Sequence, residues 1–165
     1  MVIVEGAPVA KGRPRMSQLT GKAKTPQRTL NYERIVQHAA LDARDRLGKR
    51  PVLAIVTALH PIPKGWSKAK TIDAQLGFQL KVSRPDVDNL LKSVFDGMQP
   101  ISFDDDSQIE ACACFKGYSI NPRVEVELFE LSVADGVFRA MNDETIIVAK
   151  TLRGLLGRVL LNDEE

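Results

Sequence analysis

The chain has 165 residues, 44% of them hydrophobic and 5% aromatic, with a formal net charge of +2. That is enough for one mostly aliphatic core, which argues for a single main domain. No stretch approaches the roughly 18 apolar residues of a membrane span, and the start MVIVEG lacks the charged region and long apolar run of a signal peptide.

Residues 1–6 alternate apolar side chains and read as a strand. The stretch 10–28, AKGRPRMSQLTGKAKTPQR, follows with Lys11, Arg13, Arg15, Lys22, Lys24 and Arg28 and no acid. Two readings stay open for it, a loop that contacts phosphates and a solvated surface loop. The segment 29–47 has helical spacing, with an expected apolar stripe of Ile35, Ala39, Leu41 or Ala43, and Leu47, closed by Gly48. The run 51–61 is continuously apolar, as a central strand would be, and 62–80 reads as a polar connection.

Pro85 biases Arg84 toward an extended conformation. Asp88 is then placed to cap a helix reaching about Met98, with Leu91, Val94, Phe95 and Met98 on its apolar side. Residues 109–118 and 123–131 alternate as strands do. The expected class is therefore α+β, a mixed β-sheet with two covering helices in the order β-α-β-α-β-β. The main domain spans 1–131. Residues 132–165 form an extension that packs on the domain or a dimer, with a helix expected over 143–161. Cys112 and Cys114, the only cysteines, lack the second ligand pair of a zinc site and read as buried or half-buried strand thiols in a reducing cytoplasm. His38 and His60 are isolated and read as structural.

The acids are more telling. Asp86 and Asp88 lie two apart, and Asp104, Asp105 and Asp106 begin sixteen residues after Asp88. On extended chain, side chains two apart leave the same face. Two close carboxylates repel unless a cation or a proton sits between them. Mg2+ suits such a pair, since it takes oxygen ligands and is often held by one or two carboxylates with waters and a substrate phosphate. A third acid from 104–106 is expected to join, provided the intervening helix and turn double back. Lys92, one helical turn after Asp88, is placed to touch a phosphate or leaving oxygen, or to pair with Asp88 or Asp96. The competing readings are an N-cap for Asp88 and a turn for Asp104–Asp105.

The run RPDVDNLLKSVFDGM, then DDSQI, then a strand ending in Lys116 and Tyr118, resembles the RusA family of Holliday-junction resolvases, small phage- and prophage-associated endodeoxyribonucleases. EGAPVAKGRPR and TPQRTLNYE fit it as well, so the likeness covers about residues 1–131. It implies a Mg2+-dependent homodimer, with Mn2+ able to substitute, that binds four-way DNA junctions and places paired symmetric nicks in recombination and repair. It implies no membrane partner and no small-molecule substrate. Carried over position by position, the metal-binding acids are Asp86, Asp88 and Asp106, with Asp105 beside them, and the helix lysine is Lys92. Pro85 stands where some members carry an arginine, so Arg84 is the candidate for that phosphate contact. Lys11, Arg13, Arg15, Lys22, Lys24 and Lys116 complete the expected DNA-binding set. A nuclease for other branched DNA and an inactive junction-binding module are the alternatives.

Overall fold

The apolar run in the middle of the chain becomes β4 (Val52–Pro61), flanked on one side by β5 (Ile109–Ser119) and on the other by β6 (Arg123–Ala134). Both faces of β4 are covered: Val52, Ala54, Val56 and Ala58 enter one core, and Leu53 and Ile55 enter another. A strand buried on both sides needs no polar alternation, which is why this one reads as a continuous apolar run. The computed structural model describes residues 1–16, 21–43, 46–134, 137–142, 146–149 and 158.

β4 and β5 run parallel, and β4 and β6 antiparallel. Along its other edge β6 pairs first with β1 (Val2–Glu5) and then with β7 (Val137–Met141), which pairs with β8 (Ile146–Ala149). The class is thus α+β with a mixed sheet, as expected. A parallel pair needs a long crossover. Here it carries α2 (Lys68–Gln75), α3 (Val87–Met98) and a 3-10 turn at Asp106–Gln108. No helix among the described residues is long and apolar enough to cross a membrane.

α1 (Gln27–Ala43) and α3 pack together against the first face of the sheet. Their backbones approach closely at Gly97. A Cβ there would lie 2.6 Å from Val36 Cβ and 2.7 Å from the Glu33 carbonyl oxygen.

Several expectations need correction. α1 buries Thr29, Tyr32, Val36 and Ala40; of the expected stripe Ala39, Ala43 and Leu47 pack half-buried against the core, while Ile35 and Leu41 are exposed. The connection 62–80 contains α2, whose Ser67 Oγ accepts from the Lys70 amide at 3.3 Å as an N-cap. Among the described residues three named α-helices, rather than two, accompany the sheet. In the extension, 146–149 form a strand where a helix had been expected over 143–161. Arg158 is helical, and most of the remainder of that segment lies outside the described residues. Cys112 is exposed and Cys114 is half-buried.

Candidate active site

The α3 N-terminus presents the first acid pair. Asp86, not Asp88, occupies the cap position, with extended backbone. Its side chain makes no capping hydrogen bond, so its exposed carboxylate is not spent on the helix. Asp88 lies in the first turn, also exposed, with Asn89 Nδ2 donating to its Oδ1 at 3.4 Å. Both residues stand at the N-terminal, positive end of the helix dipole. Lys92 is exposed one turn further along.

Two lysines fix the chain that delivers Asp86. Lys116 Nζ, from β5, donates to the Ser83 carbonyl at 3.1 Å and the Pro85 carbonyl at 2.9 Å. Lys81 Nζ donates to Ser83 Oγ at 2.8 Å and the Arg84 carbonyl at 2.9 Å. The structure therefore gives Lys116, expected as a DNA contact, a backbone-holding role. Lys81 was not singled out from sequence, because nothing local marks a lysine that folds back on the next turn of chain. Burial, and then the neighbouring Lys116 charge, lower the Lys81 pKa. Beside this pair Trp66 and Tyr118 meet edge to face at 4.8 Å, with Lys70 over the Trp66 ring at 4.2 Å. His60 is buried here, and burial together with Lys81 and Lys116 pushes its pKa down to about 4.

The three consecutive aspartates have three different situations. Asp104 pairs with Arg46 at 3.3 Å. Asp105 caps the 3-10 turn, its Oδ1 accepting from the Ser107 amide at 3.0 Å while Gln108 Oε1 accepts from the Asp105 amide at 2.8 Å. The hydrogen bonds from Ser107 hold the Asp105 carboxyl below the usual carboxylate range. Gln108 Nε2 ties the turn to the Gly48 and Arg50 carbonyls at 2.6 and 2.9 Å. Asp106 follows the cap and is exposed.

The two acid groups are not brought together within one chain. α3 has 12 residues, so it carries the chain about 18 Å from the Asp86 end. A second ruler agrees: Lys116 lies beside Pro85, and Asp106 precedes the other end of β5, with Ile109 and Lys116 seven residues apart, or about 23 Å. Ligands of one Mg2+ lie within roughly 4 Å of each other, since each bond is about 2.1 Å. Consistently, no group of three His, Cys, Asp or Glu side chains suited to a metal occurs among the described residues. The chain does turn back, but only along β5: Gln99 Nε2 donates to the Asp104 carbonyl at 3.0 Å, which leaves the Asp104–Asp106 run at the far end of α3, before β5 returns to Pro85.

The basic stretch forms a small hairpin, β2 (Arg15–Met16) and β3 (Ala23–Lys24), with Arg15 opposite Lys24. Arg13, Arg15, Lys22, Lys24 and Arg84 are exposed. Lys11 differs. It is half-buried, its amide donates to the Asn89 carbonyl at 2.8 Å, and its ammonium pairs with Glu33 at 2.5 Å and with Asp96. Burial works against the Lys11 charge, but Asp96 and Glu33 outweigh it and raise the pKa. Lys11 thus joins the basic stretch to α1 and α3. A groove lined by Ala10, Gly12, Arg28, Thr29, Arg84 and Pro85 runs from this stretch toward Asp86.

Residues 5–129 match the family model described as Endodeoxyribonuclease RusA. The chain belongs to the RusA family. It is also 37% identical over 134 residues to the Bacillus subtilis (strain 168) protein described as "Uncharacterized protein YqaN", a match spanning 78% of this chain and 94% of that one. The RusA match contains both acid groups, the two backbone-holding lysines and the basic hairpin. It ends inside β6, so β7 and β8 lie beyond it.

Proposed function

We propose that this RusA-family chain is a Mg2+-dependent endonuclease that nicks four-way DNA junctions in opposing strands, acting as a homodimer in recombination and repair in the cytoplasm. The observation that carries the reading is the uncommitted Asp86 carboxylate beside Asp88, next in the chain to Arg84 and Pro85, which line a groove with Arg28. Basic residues along a groove attract phosphates, and an acid pair beside it is a place for a cation to meet one.

The donors suit the ion. Asp86 and Asp88 offer only oxygen, which fits Mg2+ or Mn2+ and not a thiol-seeking metal. Mg2+ bound there supplies charge to offset the phosphate and lowers the pKa of an attacking water. The chain's own contributions are separate. Lys116 and Lys81 hold the backbone before Asp86, while Arg13, Arg15, Lys22, Lys24 and Arg84 meet phosphates. Lys92 lies on the Asp88 face, where a scissile phosphate or leaving oxygen would be met.

The separation of the acids implies two chains per site. Asp106, with Asp105 beside it, completes the set for the Asp86 and Asp88 of a second copy, and two copies related by a two-fold axis form two such sites. A four-way junction has matching approximate symmetry, and its branched shape is read mostly through phosphate positions.

The test is nicking of a synthetic four-way junction beside linear duplex and a fork, with and without Mg2+. Paired nicks confined to the junction and to Mg2+ are expected. Equal cutting of forks widens the substrate class to other branched DNA. Tight binding without cutting in Mg2+ or Mn2+ leaves a junction-binding module and refutes the enzyme.

A further inference from the structure

Between α2 and the acid pair the usual arrangement of polar and apolar side chains is inverted. Leu76, Phe78, Leu80 and Val82 are 63%, 77%, 72% and 91% exposed. Gln79 and Lys81, between them, are half-buried, and Lys81 turns inward to Ser83 and Arg84. Residues 77–83 belong to no described helix or strand, and Ile72 of α2 extends the apolar surface. Scattered exposed apolar residues are ordinary, but a contiguous row with its polar neighbours turned inward marks a contact surface.

We propose that this apolar arm, residues 72–82, seats a second copy of the chain at that copy's acidic end. This rests on the two-chain site proposed above and names the surface that would build it. Three observations select a second copy as the occupant. The arm leads directly into Pro85 and Asp86, so whatever lies on it is adjacent to the acid pair that lacks its partners. The stretch around it, 64–84, carries Lys64, Lys68, Lys70, Lys81 and Arg84 against the single acid Asp73. The opposite end exposes Asp105, Asp106 and Glu110; Arg46 and Arg50 there pair with Asp104 and Glu130, and with exposed Lys49 counted the end still carries an excess of acids. Opposite charges at opposite ends of one molecule suit a reciprocal pairing. The arm of each copy lies on the acidic end of the other, and a two-fold axis closes the assembly without exposing a further arm. The apolar row supplies the association, and the charges select the orientation.

The experiment is sedimentation equilibrium of the full chain, wild type against Leu80→Asp/Val82→Asp, with circular dichroism as a check on folding. Both positions are exposed, so the variant is expected to stay folded. Its dimer dissociation constant is expected to rise by about a hundredfold or more, the scale of central apolar contacts. Should that variant unfold, the milder Leu80→Ser/Val82→Ser serves, with a smaller rise in the same direction. The charge component is read from Glu110→Lys, which is expected to weaken the dimer, with the loss shrinking at high salt. A folded arm variant that dimerises like wild type overturns the proposal. So does a variant that remains dimeric but loses junction binding, which would assign the arm to DNA. Junction nicking by wild type is scored separately. A wild type that fails to nick, yet whose dimer depends on the arm, sinks the nuclease reading and keeps the interface.

Discussion

Replacing Lys116 with Met removes the ammonium that holds the Ser83 and Pro85 carbonyls while keeping most of the side chain's apolar length. Hydrogen bonds to charged groups are each worth about 1.5–3 kcal/mol when well formed. Lys116 is only half-buried, so water recovers part of that for the released carbonyls, and about 1–2 kcal/mol in total is the better figure. If that energy fixes the backbone before Asp86, its loss appears as misplacement of the acid pair. With about 1.4 kcal/mol per tenfold, kcat for junction nicking is expected to fall about 5- to 30-fold. The Mg2+ concentration for half-maximal rate should rise, and junction binding in EDTA should change little. Lys116→Arg should recover part of the rate, since a guanidinium can reach the same carbonyls. The assay is single-turnover nicking over a Mg2+ titration beside binding in EDTA. Loss of binding and rate in equal proportion at an unchanged Mg2+ midpoint in Lys116→Met would refute the backbone-holding role, because that is the signature of a direct phosphate contact.

Gly97→Ala tests the α1–α3 contact. Ala gains about 1 kcal/mol in helix propensity, but its Cβ would meet Val36 and a backbone carbonyl that cannot swing away. Overpacking of 1–3 kcal/mol should win, and an unchanged urea midpoint would contradict the close approach. For His60, the folded pKa of about 4 lies below its ordinary value. Its neutral form is therefore favoured in the folded protein, and stability is lost as pH falls from about 6.5 toward 4. The loss is at most about 3–4 kcal/mol, at about 1.4 per unit. His60→Gln should flatten that part of the stability curve, and an identical curve would refute the assignment. Arg13→Ala and Arg15→Ala should each reduce the salt slope of junction binding by about one. Lys11→Ala should instead lower the melting temperature through Glu33 and Asp96, and the reverse pattern would return Lys11 to the DNA surface.

The strands were legible because their signals are local. The run 52–61 and the alternations at 109–118 and 123–131 mark sheet positions without any knowledge of partners. The α1 stripe was misread because hydrophobicity favoured Ile35 and Leu41. The buried face carries Val36, which meets Gly97, together with Tyr32 and Ala40. In the tail, the β-branched Ile146, Ile147 and Val148 were a strand signal outweighed by a longer helical spacing. The acid motif was legible as chemistry. Its geometry was not, since only the tertiary course of α3 and β5 shows that Asp86 and Asp106 stand a helix length apart. The holding of Ser83–Pro85 by Lys116 joins residues more than thirty positions apart, a contact no local pattern encodes.

The most direct test of the two-chain site is complementation between Asp86→Asn and Asp106→Asn. Each variant alone should leave the four-way junction uncut in Mg2+. Co-refolded into mixed dimers, one of the two sites combines the intact Asp86 of one chain with the intact Asp106 of the other. Nicking is expected to return, in one strand per binding event, as that single site acts. If the mixed dimers form and cut nothing, both acids act within one chain, and the separation on which the account rests would be contradicted.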